Sequence, residues 1–162
     1  MVFSAGRNGV EGEVPGTYAL SLVDLDHARA PDLVYVLRSD DRPDAYGYPG
    51  LGIVTNGEVP VGGGMHGGLN RHELKTVLIA RGPGFAEGVR DDRACGILDI
   101  APTVLGALDV PQPSTMGGQA LFRPIPVPGT LRVYETGHGG FSQRLSVSDR
   151  LDSRILLEGG RG

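Results

Sequence analysis

The chain has 162 residues, enough for one domain of ordinary size with its own hydrophobic core. Apolar residues make up 40% of it, and its 27 glycines and 12 prolines are spread between apolar runs, which predicts a globular protein with many turns. A net charge of −4 argues against a nucleic-acid-binding surface, which needs a clustered basic face.

Neither a membrane partner nor a disulfide is expected from this sequence. No apolar stretch approaches the ~20 residues that a membrane-spanning helix needs. No charged-then-apolar leader opens the chain, so we expect a cytoplasmic location by default. Cys95 is the only cysteine, and we expect it to be a small buried or loop thiol and not a nucleophile.

The first half of the chain predicts few regular elements. Residues 1–16 are polar and glycine-rich and predict a loose arm, with a single α/β domain over residues 17–162. Residues 17–23 suit a strand or a short helix, since their periodicity does not decide between the two. Residues 32–38 form a continuous apolar run, typical of a strand buried on both faces. Residues 39–73 predict a long, weakly structured, glycine-rich stretch.

The second half predicts strands around one helix. Residues 76–80 read as a second buried strand, and a helix is expected from Asp99 to Leu108, with Asp99 as its cap. The tail predicts three more strands, at residues 131–135, 144–147 and 154–157. This order favours an α/β fold with a mixed sheet and few helices. The expected strands at 33–37 and 76–80 are too apolar to remain in contact with water, and unpaired edges of such strands associate. We therefore also expect the chain to form a homo-oligomer.

Three short motifs suggest an activity, and each lacks a required part. Gly62-x-Gly64-x-x-Gly67 matches a dinucleotide fingerprint, but no strand runs into it and no helix follows it. His66-Gly67-Gly68 is similar to an esterase oxyanion turn, but the chain has no Gly-x-Ser-x-Gly nucleophile elbow. His72-Glu73 begins like a zinc-protease helix, but Thr76 occupies the position of the second histidine.

Of the four histidines, His66 is the strongest candidate for a functional residue. His27 lies in a charged stretch, His72 at a short helix start and His138 in a hairpin-like turn, and we expect all three to be solvated. His66 lies among glycines, whose bare backbone lets a ligand or a metal ion approach an imidazole closely. Residues 55–68 are expected to form a loop that places His66 in a cleft.

Four blocks of sequence are informative when they are taken together, in their order and spacing. They are residues 66–69 (HGGL), 73–85 (ELKTVLIARGPGF), 96–105 (GILDIAPTVL), and Pro113 with 116–121 (MGGQAL). Together they resemble the C-terminal portion of the alkaline phosphatase superfamily, on its type I phosphodiesterase and nucleotide pyrophosphatase branch. The resemblance covers most of residues 15–122. It implies the C-terminal part of a three-layer αβα fold.

The resemblance also implies a two-metal hydrolase that acts on small phosphate esters, with zinc or a similar divalent ion as cofactor. By position, His66 is the metal ligand that precedes glycine in the C-terminal loop of that family. The family's nucleophile and its other ligand motifs have no counterpart here, so no catalytic residue is assigned, and Asp26-His27 is not taken as a ligand pair.

The sequence is therefore expected to be a C-terminal fragment of a metal-dependent phosphodiesterase-like hydrolase that is inactive alone. Two alternatives stay open: a non-catalytic binding or structural module, and one subunit of a split hydrolase whose partner brings the nucleophile.

Overall fold

The computed structural model describes residues 1–53, 59–60, 62–64, 66–121, 128–150 and 152–162, without the side chain of Asp40. The described part is mixed α/β, with three small sheets and few helices. The chain divides into two compact units. The first comprises Met1–Thr76, Val133–Ser146 and Leu156–Gly162, and the second comprises Val77–Arg132 and Val147–Ile155.

The first sheet has the strand order β2-β1-β3 and comes from the beginning of the chain. Strand β1 (Val2–Ser4) pairs in parallel with β2 (Tyr18–Ala19) and antiparallel with β3 (Leu33–Tyr35). A 3₁₀ helix, Leu20–Val23, follows β2 directly, so the ambiguous run 17–23 holds both a short strand and a short helix.

Two expectations about this region differ from the structure. Residues 1–16 were expected to form a loose arm, but they contain β1, whose Phe3 is buried. The strand expected at 33–37 is present as β3, but Leu33 and Tyr35 are exposed. These two side chains point to the same face of the sheet, so β3 is not buried on both faces as its apolar run predicts. That residues 17–162 form a single domain stays a prediction.

The stretch 39–73 holds more regular structure than its glycine content predicts. Strands β4 (Ser39–Pro43) and β5 (Pro49–Gly52) pair antiparallel, with a bulge between Asp40 and Pro43. Helix α1 (Arg71–Leu74) is one turn long, and the Asn70 side chain caps it by accepting from the His72 backbone N–H at 2.8 Å. Asn, a favoured capping residue, explains this helix start.

The strand expected at residues 76–80 is wrong: among the described residues, no strand contains them, and their apolar side chains are exposed. The expected helix is confirmed as α2 (Ile100–Ala107), entered through a 3₁₀ turn, Ile97–Asp99. The expected core, in which this helix packs on a strand at 76–80, is therefore also wrong. A run of β-branched residues forms a strand only where another strand satisfies its backbone.

The three tail strands are confirmed, and each is longer than expected. They are β6 (Thr130–His138), β7 (Phe141–Asp149) and β8 (Arg154–Arg161), in the order β6-β7-β8, and a turn at Gly139 and Gly140 joins β6 to β7. Alternating exposed and buried residues along β7 match a strand with one covered face.

The core of the first unit is built around Tyr18 and Gln143. The Phe3 and Tyr18 rings pack with centroids 5.9 Å apart, and Leu22 and Leu145 of the same unit are fully buried. The Tyr18 hydroxyl shares its single hydrogen between the carbonyl oxygens of Tyr134 and Gln143, which lie at 2.6 and 2.9 Å. Gln143 is buried, and its amide accepts from the Val2 N–H and donates to the Val2 and Gly16 carbonyls. Every polar atom in this core therefore gains a partner as it leaves water.

The second unit is held by a buried ion pair. Asp99 and Arg150 side chains are 0% and 5% exposed, and Arg150 Nη1 lies 2.7 Å from Asp99 Oδ1. The same carboxylate accepts from the backbone N–H groups of Gly96 and Gln119, each at 2.9 Å. Asp99 precedes α2 as expected, but its side chain makes no capping bond to that helix and instead joins three separate segments.

Candidate functional site

His66 lies in the first unit, on the wall of a cleft of about 540 Å³. The cleft wall also includes the chain from Tyr35 to Ser39, glycines 52, 64, 67 and 68, and Glu73. His66 is exposed. Part of the loop predicted at 55–68, namely residues 55–58, 61 and 65, lies outside the described residues.

Two glycines shape the backbone next to His66. Gly67 has φ +94°, a conformation that glycine adopts without a steric penalty. At Gly68 a Cβ would collide with the Glu73 carboxylate, so only glycine lets this side chain lie against the backbone. The sequence His-Gly-Gly therefore folds as a turn that exposes the imidazole on one side and accepts Glu73 on the other.

Glu73 holds this turn against the β4–β5 hairpin. Its Oε2 accepts from the Ser39 hydroxyl at 2.9 Å. On the far side of the turn, the Leu69 carbonyl accepts from the Gly159 N–H at 2.6 Å, and Leu69 itself is buried. The position of His66 is thus fixed through its neighbours, by a carboxylate from α1 and by strand β8. Nothing in the sequence singled out Glu73 for this role, because its partners lie 34 and 5 positions away.

A second polar cluster ties α1 to the same hairpin. Asp41 pairs with Arg71 Nη2 at 2.8 Å and with His72 Nε2 at 3.2 Å. His72, expected to be a solvated residue at a short helix start, lies at that start and pairs with Asp41 as part of this cluster. The result is a hairpin and a helix joined by three polar contacts next to the turn that carries His66.

The other histidines lie away from the cleft. His27 is exposed, and its Nδ1 accepts from the Arg29 N–H at 3.1 Å within a local turn. His138 ends β6 and is exposed. Neither lines the cleft that contains His66.

The described residues contain no group of three or more His, Cys, Asp or Glu side chains placed to hold a metal ion. The described part of the chain therefore does not assemble a metal centre around His66. Tetrahedral zinc sites need three or four protein donors, so one imidazole binds the ion weakly.

Cys95 lies in the second unit, outside the helices and strands of the described residues, and it is exposed. Partial desolvation raises the pKa of its thiol, and the negative charge of Asp99 raises it further. A raised pKa lowers the thiolate fraction at neutral pH, and the thiolate is the reactive form.

Among the described residues, no helix combines the length and apolar character needed to cross a bilayer. The chain matches no known protein family, no curated protein and no solved structure.

Proposed function

We propose that this chain is the C-terminal part of a metal-dependent phosphodiesterase-like hydrolase, in which His66 is one metal ligand. The proposal assigns the chain to the type I phosphodiesterase and nucleotide pyrophosphatase branch of the alkaline phosphatase superfamily. In this proposal the chain also supplies part of a three-layer αβα fold in the complete enzyme.

One observation carries the proposal: His66 is exposed on the wall of a cleft, in a turn whose glycines leave its approach open. The four sequence blocks that resemble the family support it, because His66 opens the first of them. In the complete enzyme a bound divalent ion would polarise a phosphoryl oxygen of a small phosphate ester.

In this chain the residues around His66 have a positioning role. Glu73 and Ser39 hold the turn, and Gly68 provides the room for the carboxylate. No nucleophile and no proton donor is assigned, so the chemical step depends on groups that the described residues do not supply.

Metal binding tests the assignment of His66. We expect the purified chain to bind zinc weakly at one site by titration calorimetry, and His66→Ala to weaken that binding at least about tenfold. His138→Ala is the matched control, since His138 is also exposed but does not line the cleft. Equal zinc affinity in wild type and His66→Ala would remove His66 from the proposal.

Activity tests the assignment of the chain. We expect no hydrolysis of an aryl phosphodiester by the purified chain with added zinc. Turnover that a chelator abolishes would mean that the chain holds a complete metal centre, and the proposal of a partial site would then be wrong.

A further inference from the structure

The cleft that holds His66 also contains an arginine without a protein partner. Arg38 lines this cleft and is exposed. Its guanidinium forms no ion pair or hydrogen bond with any residue that the structure describes, whereas Arg71 of helix α1 pairs with Asp41 at 2.8 Å. A guanidinium keeps its charge and its five N–H donors at any physiological pH. Arg38 therefore offers the cleft a full positive charge that the described chain leaves unused.

The backbone that carries Arg38 is fixed on both sides. The Val36 N–H donates to the Met1 carbonyl at 2.8 Å. The Ile53 N–H donates to the Arg38 carbonyl itself at 3.3 Å, and Ser39 begins β4, which pairs with β5. A charged side chain on a fixed backbone loses less entropy on binding a ligand than one on a free loop.

Further hydrogen-bond donors line the same cleft. The His66 imidazole is exposed, and one of its ring nitrogens carries a hydrogen in either tautomer. The backbone N–H groups of Gly67 and Gly68 donate to no other residue in the described part of the chain. A guanidinium, an imidazole and free backbone N–H groups are donors that proteins use to bind anions.

The described wall of the cleft has one acid, and that acid is already engaged. Glu73 Oε2 accepts from the Ser39 hydroxyl at 2.9 Å, and its carboxylate lies against the backbone of Gly68. Glu73 makes no ion pair with Arg38, although both residues line the cleft. An anion from solution can therefore pair with Arg38 without displacing a carboxylate of the described wall.

The size and the apolar part of the cleft indicate a small organic ligand. Its volume of about 540 Å³ lies within the roughly 300–1,000 Å³ that is typical of small-molecule sites. Tyr35 and Ile53 also line it, and they are 62% and 54% exposed. Exposed apolar side chains and unused donors in one cleft suit a ligand with an apolar part and an anionic group.

We propose that Arg38 binds the phosphate group of a small organic phosphate in this cleft, with the apolar part of the ligand against Tyr35 and Ile53. A guanidinium binds phosphate and carboxylate through the same paired N–H···O hydrogen bonds. The choice of phosphate rests on the proposed function. The anion site itself rests on Arg38, which lies outside the four sequence blocks that support that function.

Metal-free binding of phenyl phosphate tests the role of Arg38. We expect titration calorimetry at low salt, with a chelator present, to show weak binding at one site. Arg38→Met should weaken this binding at least about tenfold, because a hydrogen-bonded ion pair is lost, and Arg38→Lys should weaken it less. Arg81→Met is the matched control and should leave the affinity unchanged, since Arg81 is exposed and does not line the cleft. Circular dichroism verifies that the variants fold.

Two further probes separate the parts of the ligand. We expect benzoate, which has a carboxylate, and inorganic phosphate, which has no apolar part, each to bind more weakly than phenyl phosphate. Benzoate that binds as tightly would overturn the choice of phosphate, and inorganic phosphate that binds as tightly would overturn the role of Tyr35 and Ile53. Absence of phenyl phosphate binding at millimolar concentration, equal affinity in wild type and Arg38→Met, or an equal loss in Arg81→Met would overturn the anion site.

Zinc titration distinguishes a failure of this proposal from a failure of the proposed function. Loss of zinc affinity in His66→Ala, together with unchanged phenyl phosphate affinity in Arg38→Met, would overturn the role of Arg38 alone. The reverse pair of results would overturn His66 as a metal ligand and would support the anion site.

Discussion

Phe3 and Val77 are both apolar residues, and they have opposite environments. Phe3 is 1% exposed and Val77 is 82% exposed. Phe3 belongs to β1, which has a strand on each side, whereas Val77 lies where the described chain provides no neighbouring strand. The surrounding composition predicts the reverse, since Phe3 lies in a polar, glycine-rich stretch and Val77 in an apolar run. Burial here follows the presence of a partner element and not the apolar character of the segment.

The largest expected effect tests this contrast directly. Phe3→Ala should lower the free energy of unfolding by about 3–5 kcal/mol, because it removes a ring packed against Tyr18. Val77→Ala should change it by less than about 0.5 kcal/mol, since its side chain is mostly in water. Urea denaturation at a protein concentration that keeps the chain monomeric measures both. Equal losses in the two variants would contradict the contrast.

The ion pair of the second unit should give the next effect. Arg150→Met leaves the buried Asp99 carboxylate without its cation and should cost about 3 kcal/mol. Arg90→Met is the control: Arg90 pairs with Asp92 at 3.0 Å, but both side chains are exposed, so little change is expected. Thermal or urea unfolding compares the two. A loss no greater for Arg150→Met than for Arg90→Met would show that the buried pair does not stabilise the unit.

The smallest expected effect is a change in stability that appears only at alkaline pH. Burial, together with the negative charge of Glu135, raises the pKa of Tyr18 to about 12. Between pH 10 and 12 the unfolded chain therefore loses this proton before the folded chain does. Stability due to neutral Tyr18 is complete below pH 10 and falls as the pH rises towards 12.

Tyr18→Phe removes this titration. Its urea midpoint should depend less on pH between 10 and 12 than that of the wild type, although the variant is less stable at pH 8 because it loses the hydroxyl's shared hydrogen bond. Tyr46→Phe, at an exposed position, should keep the wild-type slope. Parallel pH dependence in wild type and Tyr18→Phe would argue against a raised pKa.

Local signals predicted part of the fold well. The Asp-x-x-Pro start and the periodic apolar residues predicted α2 to within one residue at each end, and the three strand segments expected in the tail correspond to β6, β7 and β8. These elements depend on neighbours close in sequence. Residues 76–80 carried an equally strong strand signal, but a strand also needs a second strand, and the sequence does not say whether one is present.

The candidate site was predictable only at its centre. His66 stood out because glycines surround it, whereas the contacts that fix its turn, from Glu73 to Ser39 and from Leu69 to Gly159, join distant positions. Arg150 and Gln143 had no distinguishing pattern either, although each holds a unit together. Such residues are identified by their partners in space, 51 positions away for Arg150 and 141 for Gln143.

The link between Val2 and Gln143 also makes the core of the first unit depend on contacts that are far apart in the sequence. The Gln143 amide accepts from the Val2 N–H and donates to the Val2 carbonyl, across 141 positions. Closing so long a loop carries an entropic cost, which is offset only when the two segments have met. We therefore expect the first unit to fold with high contact order and correspondingly slow kinetics.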